Sequence, residues 1–225
     1  MAPPTRSRPR PGARPPDVSP LRRAAPWVAV GLLVAGSALI AALASNEAGP
    51  ATSTPGVEET RDVQVTGSPL TSFGAGTDTS VGQPIPTVQG ASFDDTPVTI
   101  GSGRPTIIAF VAHWCPHCQR EVPLLAGHLA SRPLPAGVDL ITVATGTTPD
   151  RPNYPPSEWL AREDWPGPVL ADSADGAVAE AFGLTGFPYF VAVDAAGQVV
   201  ARVSGEIPTS QFDELAQLAL GGAGT

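Results

Sequence analysis

The chain has 225 residues, of which 42% are hydrophobic, and this is enough for one domain of ordinary size together with some non-globular sequence. Its formal net charge is −8, but residues 1–23 carry six arginines against a single acid, so the remainder is strongly acidic. An acidic globular part argues against nucleic acid or anionic lipid as its binding partner.

The N-terminal region predicts a membrane segment. Residues 1–23 are basic and proline-rich, and they are typical of a disordered tail. No charged residue occurs in residues 24–44, which is about the length that crosses a hydrocarbon core. The positive-inside rule keeps the tail in the cytoplasm. We therefore expect a single-pass protein of the cytoplasmic membrane, with its N-terminus inside and its remaining residues outside.

A cleaved signal peptide is the alternative for this segment. Ala42-Leu43-Ala44 resembles a signal-peptidase site, and cleavage there would release a soluble exported protein. We favour an uncleaved anchor because the uncharged span is longer than the ~7 to 15 residues of the hydrophobic region in a usual signal peptide.

Residues 45–80 predict a flexible linker, because they are rich in Ser, Thr, Gly and Pro and contain few large apolar side chains. Residues 81–221 have the composition of a globular domain. The first predicted elements are two short strands around a turn, a buried strand, a helix and a second buried strand: Pro86 to Gln89, Pro97 to Ile100, Thr106 to Ala112, Gln119 to Ala130 and Val138 to Ala144. A strand, helix and strand in this order indicate parallel pairing in an α/β fold.

The second half predicts shorter elements. A polar loop over residues 145–156 precedes a short helix, a strand, another short helix, a hairpin and an amphipathic C-terminal helix: Ser157 to Glu163, Pro168 to Ala171, Gly176 to Phe182, Tyr189 to Asp194 with Gln198 to Ser204, and a last helix capped by Thr209 or Ser210.

Cys115 and Cys118 are the only cysteines of the chain, and they lie where a predicted strand turns into a helix. A disulfide that closes so short a ring stabilises a fold very little, so the pair indicates redox chemistry. The N-terminus of a helix favours a thiolate, which makes Cys115 the expected nucleophile and Cys118 the resolving thiol.

Three neighbours in the motif, together with Phe187 farther along the chain, are expected to modulate the pair. Pro116 suits the first helical turn, where its missing N–H costs nothing. His117 can favour the thiolate by its charge or by a ring N–H. Trp114 can serve as a packing aromatic, as a lid over the disulfide, or as both.

The sequence Trp114-Cys115-Pro116-His117-Cys118 after an apolar strand resembles the active site of the thioredoxin-fold superfamily. Pro123 stands where that family has the proline that kinks its active-site helix. Gly186-Phe187-Pro188-Tyr189-Phe190 resembles the loop that holds the family's cis-proline. The resemblance implies a thioredoxin-like three-layer α/β fold with a central mixed sheet, no cofactor, and a cis Pro188 that exposes a backbone edge to a substrate peptide.

Two subfamilies are similar in different respects. The layout resembles the anchored extracytoplasmic TlpA/ResA-like proteins, which implies a reductant for cytochrome c maturation, supplied by a membrane thiol transporter. The Pro-His dipeptide resembles DsbA-type oxidases, which implies disulfide formation and a quinone-linked membrane oxidase. Either direction implies exported proteins with thiols or disulfides as substrates.

The chain departs from cytoplasmic thioredoxins at Ala109, where those proteins have a buried aspartate that accepts a proton from the resolving thiol. His113, His117 and Glu121 are the candidates for that role by sequence. Arg120 and Glu121 are otherwise expected to be solvated helix residues.

Copper delivery is the rival function. His113, Cys115, His117 and Cys118 place four potential ligands within six residues. Copper-delivery proteins of this fold use two cysteines and a distant histidine, but their cysteines are separated by three residues and not by two. We therefore favour thiol–disulfide exchange.

Overall fold

The structure is a computed structural model that describes residues 59–221. The predicted basic tail, the membrane segment at 24–44 and the first part of the linker lie outside the described residues. Among the helices that are described, none is both long and apolar enough to span a bilayer.

Residues 59–221 form eight strands and four helices. The strands are β1 (Gln64–Thr66), β2 (Thr87–Ala91), β3 (Pro97–Ile100), β4 (Thr106–Val111), β5 (Asp139–Ala144), β6 (Val169–Ala171), β7 (Tyr189–Val193) and β8 (Val199–Ser204). The helices are α1 (Pro116–Ser131), α2 (Pro156–Arg162), α3 (Ala177–Ala181) and α4 (Thr209–Gly221). Each element predicted within residues 86–221 is present, with small shifts of its ends.

Five strands form a mixed sheet in the order β6-β5-β4-β7-β8. β4, β5 and β6 are parallel, whereas β7 pairs antiparallel with both β4 and β8. All six residues of β4 are buried, as expected for a central strand that is covered on both faces. The predicted mixed sheet and its parallel β4–β5 pairing are confirmed.

The two faces of this sheet carry separate apolar cores. Ile108 and Phe110 of β4 face one core, while Ile107 and Ala109 face the other, because successive strand residues point to opposite sides. The core around Ile107 is closed by α1 and α4, and the core around Ile108 by α3 and the strands β2 and β3. This arrangement is the expected three-layer, thioredoxin-like fold.

The linker prediction is wrong for residues 59–80. This segment includes β1, which pairs antiparallel with β2, and its Leu70 is buried. Backbone N–H groups of Leu70 and Phe73 donate to carbonyl oxygens of Ala181 and Gly183 at 2.9 and 2.8 Å. Because backbone pairing and polar contacts hold the segment, its low content of large apolar residues was a misleading signal.

A buried arginine fastens the same segment to the sheet. The Arg202 side chain is 1% exposed, and its Nε donates to Asp78 Oδ2 at 2.8 Å. Its Nη1 donates to the Thr71 carbonyl at 2.8 Å and to the Tyr189 hydroxyl at 3.2 Å. The Arg202 hydrogen bond is the main reason why the pKa of Asp78 is lowered.

Substituting Arg202→Met should lower the free energy of unfolding by about 3 kcal/mol, because it leaves Asp78 largely buried without its counter-charge. A lowered carboxyl pKa stabilises the fold at neutral pH, and this contribution is lost as pH falls through that pKa. The difference from wild type should therefore be largest near neutral pH and shrink in acid. Denaturant unfolding at several pH values measures it.

Arg104→Gln is the matched control, because Arg104 forms an exposed ion pair with Asp139. It should leave the unfolding midpoint almost unchanged. An equal loss in both variants would contradict the fastening role of Arg202.

Candidate functional site

The two cysteines lie at the carboxyl end of β4, where the chain enters α1. Cys115 is the N-cap residue of this helix, and Pro116 is its first residue, as expected. The Cys115 N–H donates to the Ala112 carbonyl at 3.0 Å, and this turn brings the cysteine to the mouth of the helix. Both cysteines are free thiols.

The environments of the two thiols differ. Cys115 is 6% exposed, whereas Cys118 is completely buried in the first turn of α1. Burial raises the pKa of the Cys118 thiol far above its ordinary value, and the neighbouring Cys115 and Glu121 add to this effect. Cys118 therefore remains protonated unless a nearby group takes its proton.

Phe187 and Pro188 approach the Cys115 side of the pair. Their peptide bond is cis, which confirms the prediction for Pro188, and β7 begins at the next residue. The Phe187 carbonyl oxygen lies 4.0 Å from Cys115 Sγ. The loop therefore places backbone groups directly beside the expected nucleophile. A second cis bond, Tyr154–Pro155, had no signal in the sequence.

Trp114 forms part of the rim around this site. Its Nε1 donates to the Gly146 carbonyl at 2.8 Å, and its ring meets Phe187 edge to face with centroids 5.8 Å apart. The Arg151 guanidinium carbon lies 5.3 Å from the centroid of the indole. Trp114 thus joins the cysteine motif to the cis-proline loop and to the loop after β5.

His113 is buried, and both of its ring nitrogens are engaged. Nδ1 lies 2.7 Å from the Pro152 carbonyl oxygen, so this nitrogen must carry the proton. Nε2 accepts the Thr148 N–H at 3.3 Å. Burial lowers the pKa of His113, which favours this neutral form. His113 therefore holds the loop after β5 and has no free nitrogen for the proton of Cys118.

Glu121 is buried beside Cys118, and its prediction as a solvated residue is wrong. It is 3% exposed, and its Oε1 accepts the Ile207 N–H at 3.2 Å. Burial raises the pKa of this carboxyl group. Cys118, Glu121, Val122 and Leu125 follow the spacing of a buried helix face, and this spacing was the sequence signal for its burial.

His117 and Arg120 lie on the exposed side of α1 and share one carboxylate. His117 Nδ1 is 2.5 Å from Glu206 Oε1, and Arg120 Nε donates to Glu206 Oε2 at 3.3 Å. Arg120 Nη2 also lies 2.9 Å from His117 Nδ1. Glu206 is 89 positions from His117 in sequence, and no local pattern pointed to it.

A metal centre finds little support in the part of the chain that is described. Residues 59–221 contain no group of three or more His, Cys, Asp or Glu side chains arranged to hold an ion. The four candidate ligands of the cysteine motif are divided, because His113 binds the loop after β5 and His117 binds Glu206.

The arrangement is suited to sulfur exchange. One thiol lies at a helix N-terminus beside the Phe187 carbonyl oxygen, and the other is buried beside the carboxyl group of Glu121. In such a pair the first thiol can form a mixed disulfide with a partner, and the second thiol can then displace that partner.

The comparisons with known proteins agree with this chemistry. The Redoxin family model matches residues 80–218, which is more than half of the chain. The methylamine utilization protein MauD of Methylobacillus flagellatus is 26% identical over 126 residues, which cover 54% of this chain and 56% of MauD. The chain thus spans little more than half the length of this curated relative.

Two solved structures illustrate the similarity. MTB dsbF, described in mixed oxidized and reduced forms, is 26% identical, with 59% of this chain and 94% of that chain covered and a TM-score of 0.48. StoA from Bacillus subtilis is 20% identical, with 54% and 90% covered and a TM-score of 0.47. Because these scores lie below 0.5, the family follows from the Redoxin match alone: the chain belongs to the Redoxin family.

Proposed function

We propose that the protein is a thiol–disulfide oxidoreductase that acts on protein thiols and disulfides through Cys115 and Cys118. The observation that carries the proposal is the position of this pair, at the N-terminus of α1 and with Cys115 Sγ 4.0 Å from the Phe187 carbonyl oxygen. The membership of the Redoxin family supports it.

In the reducing direction, the Cys115 thiolate attacks one sulfur of a substrate disulfide. A bond forms between Cys115 and the substrate, and the other substrate sulfur leaves as a thiolate. Cys118 then loses its proton and attacks Cys115 Sγ, which releases the second substrate thiol. The protein disulfide takes the place of the substrate disulfide, so two electrons pass to the substrate. The oxidising direction is the reverse of these steps.

The different environments of the two sulfurs assign these roles. Cys115 lies at the helix N-terminus, where unpaired N–H groups and the macrodipole favour an anion. Cys118 is completely buried, and its raised pKa keeps it protonated until the mixed disulfide has formed.

Glu121 is the best supported acceptor for the Cys118 proton among the three candidates. Both nitrogens of His113 are occupied, and His117 faces Glu206 on the exposed side of the helix. Glu121 is buried close enough to Cys118 for its charge to raise the pKa of that thiol. Its own raised pKa improves its ability to hold the proton, since the driving force for transfer from a thiol is greater.

The half-buried backbone of Phe187 suits pairing with an extended peptide, with Trp114 forming the adjacent aromatic rim, whereas the Pro188 carbonyl already accepts the Gly205 N–H. The predicted anchor at residues 24–44 supports a location at the cytoplasmic membrane with the domain outside. The substrates would then be exported proteins, and a membrane thiol transporter or a quinone-linked oxidase would renew the pair. Equilibration of the purified domain with glutathione tests the direction.

Substituting Cys118→Ser should trap a mixed disulfide between Cys115 and a protein substrate, because the resolving sulfur is absent. Cys115→Ser should form no such adduct and should lose exchange activity. Non-reducing electrophoresis and mass spectrometry after incubation with oxidised insulin measure both outcomes. Exchange activity retained in Cys115→Ser would overturn the assigned nucleophile.

Substituting Glu121→Gln should slow the resolution of the mixed disulfide by about 100-fold, the lower range for a lost general base. Rapid-quench kinetics on a pre-formed mixed disulfide measure this step. Because the amide oxygen can still accept the Ile207 N–H, the fold should be retained.

Relative to wild type, the Glu121→Gln variant should become more stable as pH rises. An acid whose pKa is raised by folding destabilises the native state progressively above its unfolded pKa, and glutamine does not. Slower resolution with stability equal or higher near neutral pH would mark a catalytic group. Glu214→Gln, an exposed change on α4, is the control and should alter neither property. An unchanged resolution rate in Glu121→Gln would remove its assigned role.

A further inference from the structure

Two clusters of similar composition join α1 to the C-terminal part of the domain. In each cluster, one carboxylate contacts a histidine of α1 and an arginine that lies either in α1 or at its C-cap. The first consists of Glu206 with His117 and Arg120, and it lies beside the redox pair. The second consists of Asp213 with His128 and Arg132, and it lies at the other end of α1: His128 Nε2 is 2.9 Å and Arg132 Nη1 is 3.4 Å from Asp213.

The first cluster is in electrostatic contact with the cysteines. His117 lies between them in the sequence. The pKa of Arg120 is raised mainly by its hydrogen bond to Glu206, and the charge of Cys115 adds to this effect. Arg120 lies five residues after Cys115, about 7.5 Å along the axis of α1, so its guanidinium favours a thiolate at Cys115, and Glu206 is the carboxylate that opposes its charge.

The same short segment also holds the proposed proton acceptor. The residue after Glu206 is Ile207, whose N–H donates to Glu121. Burial is the main cause of the raised pKa of Glu121, and the Glu206 carboxylate contributes to it. Residues 206 and 207 thus contact three side chains within one turn of α1, all next to the redox pair.

Glu206 keeps its negative charge across the working pH range. Hydrogen bonds from Arg120 and then from His117 lower the pKa of Glu206 to about 2. A fixed anion beside two cationic or proton-donating groups acts as a constant counter-charge, and its effect on the site does not depend on its own titration.

We propose that Glu206 is a positioning residue that sets the reduction potential of the Cys115–Cys118 pair, by offsetting the positive charge that Arg120 directs at the reactive sulfur. This inference rests on the proposed function and goes beyond it, because it names the group that limits how oxidising the pair can be.

The sign of the change in reduction potential follows from the charges of the two redox states of the cysteine pair. The reduced pair carries a thiolate, whereas the disulfide is neutral. A cation nearby stabilises the reduced form and makes the disulfide a stronger oxidant, while an anion has the opposite effect. Removing the charge of Glu206 should therefore make the pair more oxidising, and removing that of Arg120 should make it less oxidising.

Glu206→Gln, Arg120→Gln and Asp213→Asn test the proposal in the full domain with its native cysteines. The equilibrium of each with reduced and oxidised glutathione gives the reduction potential. Glu206→Gln should shift the equilibrium constant about three- to tenfold towards the reduced protein, where tenfold corresponds to about 30 mV. Arg120→Gln should shift it in the opposite sense, and Asp213→Asn should change it by less than about twofold, because screening weakens distant surface charges.

The dependence of the reduction potential on salt distinguishes an electrostatic role of Glu206 from a purely structural one. The Debye length falls to about 3 Å at 1 M salt, so the difference between Glu206→Gln and wild type should shrink there. The pH midpoint for alkylation of Cys115 should also move lower in Glu206→Gln and higher in Arg120→Gln. Thermal unfolding checks that all three variants are folded.

Shifts of the same sign in Glu206→Gln and Arg120→Gln would overturn the proposal, as would a shift in Asp213→Asn as large as that in Glu206→Gln. The proposed function fails in a different way. In that case the wild-type cysteines would not exchange with glutathione at all, whatever residue stands at position 206.

Discussion

The proposed exchange chemistry depends on the different electrostatic environments of two sulfur atoms whose residues are only three positions apart. Cys115 is the N-cap residue of α1 and is 6% exposed, whereas Cys118 is completely buried one turn later. The helix therefore favours charge on the first sulfur, while burial opposes charge on the second. Exchange needs this order, because the first sulfur must attack a substrate and the second must wait until the mixed disulfide has formed. The acceptor that we propose is the buried Glu121, since Ala109 stands where a cytoplasmic thioredoxin has an acid.

The fold produces these different environments by bringing distant segments to one end of the central sheet. The cysteines follow β4 in the chain. Phe187 precedes β7, the antiparallel neighbour of β4, and its carbonyl oxygen lies next to Cys115. The turn after β8 adds the carboxylate of Glu206 on the exposed side of α1 and the N–H of Ile207 on the buried side. One face of the helix thus carries the exposed contacts with Glu206, and the other carries Glu121, the proton acceptor that we propose. Both are held by residues 206 and 207.

The sequence was sufficient for the parts of the site that are local in the chain. The spacing of Cys115 and Cys118 after an apolar strand predicted the strand–helix junction, and the resemblance to thioredoxin-fold proteins predicted the cis bond at Pro188. Contacts between distant residues were not predictable in this way. Glu206 carries no local signal, and the hydrogen bond between Glu121 and the Ile207 N–H joins residues 86 positions apart. Residues 59–80 were misassigned because backbone pairing, which composition does not report, holds them to the domain.

The most direct test of the account is the competition between the two thiols in the reduced wild-type protein. Brief treatment with iodoacetamide near neutral pH, followed by acid quenching and peptide mass spectrometry, measures how fast each sulfur is alkylated. The account predicts that Cys115 is modified rapidly while Cys118 remains almost untouched, because only the former is held as a reactive thiolate. Equal rates, or faster modification of Cys118, would contradict it.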